Sequence, residues 1–192
     1  MAYIGVEDLR AYLGIGLTTD DDLLQEAVED AQSYIESQTN RRFEANTETR
    51  YFGRWARDDH DSRILDMGTD LLTVTTLTNG DSSSTVIAST KYWLLPRNGS
   101  PPYHQIQLYQ DISDYWEWDT DKWVSVLGTW GYSNTPPADI VRACTALAAY
   151  FYRQKDAQMF DTTAVLESGA LVVPQGIPAT VTRILERYKR YI

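Results

Sequence analysis

The chain has 192 residues, of which 43% are hydrophobic, a net charge of −10 and a single cysteine. That length and apolar content suit one domain, or a domain with an insertion, built around a real core. Cys144 alone excludes an internal disulfide or a cysteine-cluster metal site, no apolar run approaches the ~18 residues of a membrane span, and the acidic balance argues against general affinity for nucleic-acid backbones.

The first residues lack a basic n-region and an apolar h-region, so a soluble, unexported protein of a reducing compartment is expected. Val6, Leu9 and Leu13 repeat at helical spacing before Gly14, which predicts a short helix with a glycine stop. Thr18 and Thr19 are candidate N-caps for a second helix over 20–38. Its apolar positions Leu23, Leu24, Ala27, Val28, Ala31, Tyr34 and Ile35 follow the 3.6-residue period, and Asn40 is a natural left-handed stop.

From 47 to 134 the pattern changes to short β-prone runs split by turn residues, predicting strands at 49–52, 71–78, 85–87, 92–95, 106–108 and 123–130 in an antiparallel sheet. Asn79-Gly80-Asp81 reads as a tight hairpin turn, because Asn and Gly accept positive φ. Both faces of 71–78 carry apolar residues, so this sheet is expected to be covered on both sides. Pro136-Pro137 opens a core helix over 135–155 with Ile140, Ala143, Cys144, Leu147, Ala148 and Phe151 on one broad face. Residues 156–176 keep no clear period and read as a long loop or a strand awaiting a partner. A last helix over 177–192 carries Val181, Ile184, Leu185 and Tyr188 on one stripe. The fold class is therefore α+β: a helical core of two N-terminal helices, one central helix and one C-terminal helix, with an antiparallel β-sheet insertion between the second and third helices. The whole of 1–192 is expected to act as a single domain.

Charge is distributed unevenly. Residues 1–40 hold nine acids against Arg10 alone, with Asp20, Asp21, Asp22, Glu26, Glu29 and Asp30 all on the second helix, whereas 135–192 hold five acids and seven bases, with Arg183, Arg187, Lys189 and Arg190 close to the end. Such polarity suits a heterologous contact in which one subunit's acidic end meets a basic end of its neighbour or partner, the kind of contact that builds rings. Compensation of helix dipoles would place the same charges in the same way, and the sequence leaves both open.

Catalytic equipment is sparse. His60 lies among Asp58, Asp59 and Asp61, yet the spacing puts them on no common face and reads as a solvated loop, while His104, after Pro101-Pro102, reads as a turn residue. Trp116, Glu117, Trp118 and Asp119 suggest a sugar platform with two carboxyls, or a sheet-edge loop whose aromatic residues cover the core. Cys144 sits in an apolar stripe and reads as a small hydrophobe. Asn98-Gly99-Ser100 matches a glycosylation sequon but reads better as a turn. No phosphate-cradling loop or nucleophile elbow is present.

With these elements placed, the chain resembles the head-tail connector, or adaptor, proteins of tailed bacteriophages. The resemblance lies in Tyr3-Ile4, Glu7-Asp8-Leu9 and Tyr12-Leu13-Gly14, in Leu23-Leu24 through Thr39-Asn40-Arg41-Arg42-Phe43, and in Thr49-Arg50-Tyr51-Phe52. It continues through Leu72-Thr73-Val74-Thr75-Thr76-Leu77-Thr78-Asn79-Gly80-Asp81, Tyr92-Trp93-Leu94-Leu95-Pro96-Arg97-Asn98, Gly128-Thr129-Trp130-Gly131-Tyr132 and Ile140 with Ala143 and Leu147-Ala148-Ala149. It implies a virion structural protein without cofactor or catalytic role, assembled as a dodecameric ring beneath the portal, through which DNA passes without specific binding. Its implied partners are other copies of itself, the portal protein and a stopper or tail-completion protein, with no membrane. The portal contact would fall on the C-terminal segment, including Leu171, Val172 and Val173. The alternatives are a carbohydrate-binding module or glycosidase using the Trp116–Asp119 cluster, or another tail or stopper protein.

Overall fold

The structure, a computed structural model, describes residues 2–16, 18–110, 115–157, 164–165, 171–172 and 176–191. They fall into two compact units, one made of residues 1–40 with 136–191 and the other essentially of 41–135. The outline is the expected one: helices at both ends of the chain and an antiparallel sheet inserted between the second and third.

The first unit is helical. α1 (Val6–Leu13) starts where the Asp8 carboxylate accepts the Gly5 N–H at 3.0 Å and stops at Gly14, whose φ of 72° lets the chain leave the helix without strain. α2 (Asp21–Thr39) ends at Asn40 in the left-handed conformation, as its sequence predicts. Its N-cap is Asp20 rather than Thr18 or Thr19, and the Asp20 side chain makes no cap bond because it accepts the Tyr152 hydroxyl instead. Leu24, Ala27, Val28, Ala31 and Ile35 are buried on one face of α2, which packs on α3 (Ala138–Ala157). There Ile140, Ala143, Cys144, Leu147 and Ala148 are likewise buried, and burying each large side chain contributes ~1.5–3 kcal/mol. Tyr34 meets Phe151 edge-on at 6.3 Å. Residues 156–176 include two short strands, β7 (Ala164–Val165) and β8 (Leu171–Val172), which pair with each other and so answer the question of a partner for that segment. α4 (Ala179–Tyr188) is shorter than predicted, because the chain turns extended at Lys189.

The second unit is a six-stranded antiparallel sheet of β1 (Asn46–Phe52), β2 (Ile64–Thr78), β3 (Val86–Ile87), β4 (Tyr92–Leu95), β5 (Tyr103–Leu108) and β6 (Val124–Trp130), in spatial order β1-β6-β2-β5-β4, with β3 paired to β2. β2, at 15 residues, is nearly twice its predicted length. The missed half carries Asp66, Gly68 and Asp70, residue types depleted in strands. They are tolerated because Gly68 adopts φ +60° with its N–H donated to the Asp66 carboxylate, and the register against β5 shifts between Asp66 and Leu71. Asp70, 3% exposed, is held by two bonds from Arg41 Nη1 at 2.8 and 2.9 Å. Leu65, Met67, Leu71, Leu77, Ile106, Leu108, Val124, Val126 and Trp130 form the core with Phe52, Ala56 and Trp116. On β2 the expected apolar positions of both faces are shielded, with Leu71, Leu72 and Leu77 buried and Val74 half-buried, while Thr47, Thr49 and Tyr51 of β1 are exposed.

The Asn79-Gly80 expectation needs correction. Neither residue takes positive φ, and the turn between β2 and β3 is completed by Ser84 at φ +53° and by Asp81, whose carboxylate accepts both the N–H and the hydroxyl of Thr85. Asn79 instead clamps the aromatic segment: its Nδ2 donates to Tyr115 O at 2.8 Å and its Oδ1 accepts the Glu117 N–H at 3.0 Å. Gly80 is required there by contact rather than by φ, since a Cβ would stand 2.5 Å from Glu117 O.

Candidate functional site

Among the acids of α2 the structure separates those with a job inside the chain from those without. Asp21 accepts Arg10 Nη2 at 2.6 Å and Asp20 accepts Tyr152, so both bind helices of their own unit together. Glu29 accepts Gln25 Nε2 at 2.6 Å along the helix. Asp22, Glu26 and Asp30 are exposed and make no ion pair or side-chain hydrogen bond with the described residues. Leu23 stands among them 43% exposed, although its spacing assigns it to the core face.

The basic side sorts similarly. Arg187 Nη2 donates to Asp139 at 2.8 Å, where the Tyr188 hydroxyl also donates, so Arg187 fastens α4 to the start of α3. Arg190 is fixed through its backbone, its N–H donated to Thr39 O at 2.9 Å and its carbonyl accepting Asn40 Nδ2 at 3.1 Å, which moors the tail on the C-terminal end of α2. Arg183 is exposed without an ion pair among the described residues, and Lys189 Nζ lies 5.8 Å from the ring centre of Tyr191, itself 85% exposed. Leu171 and Val172 lie in β8, and Val173 is outside the described residues. Exposed Leu23 and Tyr191 are the residues that sequence reasoning missed, because an apolar residue at helical spacing carries no mark of which side faces water.

The chemistry weighed from the sequence is used up in structure. Asp58 accepts the N–H groups of Asp61 and His60, which lower its carboxyl below the usual range, so this loop is a self-capped turn. Among the described residues no group of three or more His, Cys, Asp or Glu side chains is placed to hold a metal ion. His104 lies in β5 rather than in a turn, with Nδ1 3.4 Å from the Asp70 carboxylate, a companion 34 positions away that linear spacing hides. Trp116 is buried with Nε1 donated to Arg63 O at 2.7 Å, and Trp118 Nε1 donates to Phe52 O at 2.8 Å, so both act as pins of the sheet's cover rather than as free stacking faces. A groove of about 520 Å³ beside them is lined by Gly53, Arg54, Trp55, Trp118, Asp119, Thr120 and Trp123. Trp55 and Trp123 meet there at 89°, which gives no coplanar platform for a pyranose. Cys144 is buried, and burial pushes its thiol up to about 12, so it stays an inert thiol. Gly99 donates to Pro96 O at 3.1 Å, closing the turn between β4 and β5 at the sequon.

The family model for head completion proteins matches residues 2–191. The chain belongs to the head completion protein family. That membership carries a head-tail connector role, and the sugar-binding alternative is not favoured. No curated protein matches the chain. Among solved structures, this head completion protein is similar to a chain in the neck of an empty gene transfer agent particle computed with C6 symmetry, at 19% identity, TM-score 0.66, and coverage of 99% of this chain and 91% of that one. A chain in the neck of the native particle computed with C12 symmetry matches at 20% identity, TM-score 0.63, and coverage of 97% and 88%. A chain of the native virion of a gene transfer agent matches at 20% identity, TM-score 0.66, and coverage of 99% and 91%. These likenesses show that the fold is shared over nearly the whole length. No described helix of this head completion protein is long and apolar enough to cross a membrane.

Proposed function

We propose that this protein is a non-enzymatic adaptor, with residues 1–192 as a single adaptor domain, that forms a ring of twelve copies beneath the portal at the neck of a tailed phage or phage-like particle. The ring extends the DNA channel and offers the next docking surface to a stopper or tail component. The family match over residues 2–191 carries this reading. It is supported by the fold shared with proteins of a neck solved in C6 and C12 symmetry, and by a net charge of −10, which suits a wall past which DNA slides without sticking. The assembly surfaces are the acidic face of α2 and the basic end of α4, with the segment around Leu171, Val172 and Val173 turned to the portal. A reconstruction of the assembled particle tests the reading. The expected result is a ring of this chain directly below the portal; finding the chain in the tail tube or absent from the neck would overturn it.

A further inference from the structure

Both charged surfaces belong to the helical unit, and α2 fixes how far apart they are. The tail 189–191 is moored at Thr39 and Asn40, the C-terminal end of α2, whereas Leu23, Glu26 and Asp30 lie toward its N-terminal end. At 1.5 Å per residue they stand about 14 to 24 Å from that mooring, beyond the reach of Lys189 or Tyr191 of the same chain. Leu23, Glu26 and Asp30 are i, i+3 and i+7 on the helix, so they form one exposed stripe, with Asp22 at its side. Helix-dipole compensation accounts for Asp22 in the first turn but not for Glu29 and Asp30, since that effect falls off within a turn. On the other side an extended tail presents a cation beside an exposed aromatic ring.

We propose that the stripe Leu23, Glu26 and Asp30 of α2 receives the Lys189–Tyr191 tail of a second copy of this chain, Tyr191 covering Leu23 and Lys189 meeting the carboxylates. Donor and acceptor sit at opposite ends of one helix, so the contact is heterologous and every copy keeps one free surface of each kind until the series closes. This deepens the ring reading above and rests on it.

The test uses two full-length surface variants. One loses the tail (Lys189→Ser with Tyr191→Ser), and the other loses the stripe (Leu23→Ser with Glu26→Gln and Asp30→Asn). Sedimentation velocity at low salt should show the wild type associating, each variant alone associating about tenfold or more weakly, and an equimolar mixture forming a one-to-one heterodimer and nothing larger. Circular dichroism confirms that both variants are folded. Variants that assemble like the wild type, or a mixture that stays monomeric, overturn the contact. A wild type that is monomeric at every concentration also overturns it, yet leaves the connector role standing, because the particle reconstruction tests that role separately.

Discussion

Replacing Asn79 with alanine tests whether the aromatic segment 115–119 is a clamped cover. Asn79 is 7% exposed and sends its amide in two directions, donating to Tyr115 O at 2.8 Å and accepting from Glu117 N at 3.0 Å. Asn79→Ala removes both long-range bonds at once, leaving the Tyr115 carbonyl and the Glu117 N–H, both on exposed residues, to water. Each bond contributes about 0.5–1.5 kcal/mol net, so the substitution should destabilise the sheet unit by roughly 1–3 kcal/mol. In urea, with m near 1–3 kcal/mol per molar, the midpoint should fall by about 0.3–3 M. Trp116 reports on the same event, since its indole is buried under this segment, and its native emission should shift red before the main transition. A midpoint within about 0.2 M of wild type, with unchanged emission, would refute the clamp, because that shift is under 1 kcal/mol on the same slope.

Arg41→Met takes the guanidinium from the Asp70 carboxylate at 3% exposure and should destabilise the sheet unit by less than the ~3–5 kcal/mol of an uncompensated buried charge, because His104 Nδ1 stays 3.4 Å away, whereas Arg41→Met with Asp70→Leu should recover most of the loss; thermal unfolding of the single and double variants decides. Gly68→Ala meets no atom within 4 Å and should cost only the left-handed strain of about 1–2 kcal/mol, while Gly80→Ala drives a Cβ against Glu117 O at 2.5 Å and should cost more, a ranking readable from chemical denaturation of both. Cys144, with its thiol pushed up to about 12 by burial, should resist a thiol reagent at pH 8 in the native protein and react fully in urea.

Local signals in this chain were strong where local chemistry decides. α1 and α2 end where Gly14 and Asn40 permit a left-handed turn, and the apolar periods of α2 and α3 identify their packed faces. The sheet was legible in outline only. Asp66, Gly68 and Asp70 hide half of β2, because a bulge and a distant arginine make them acceptable in a strand, and neither leaves a trace at short range. Asn79-Gly80 carries the composition of a hairpin turn while serving as a clamp for residues some 36 positions later. Much the same holds for the charged surfaces: the sequence places the acids on α2, and only the folded chain shows that Asp20 and Asp21 are committed to Tyr152 and Arg10 while Asp22, Glu26 and Asp30 stand clear.

The central claim is that this head completion protein works as a closed ring of identical copies. Light scattering of the purified protein, alone and then with its portal, tests that most directly. Twelve copies of a 21.9 kDa chain should appear as a species near 260 kDa, or as that mass added to the portal's. A monomer that persists in both samples, with the portal's mass unchanged, would contradict the account.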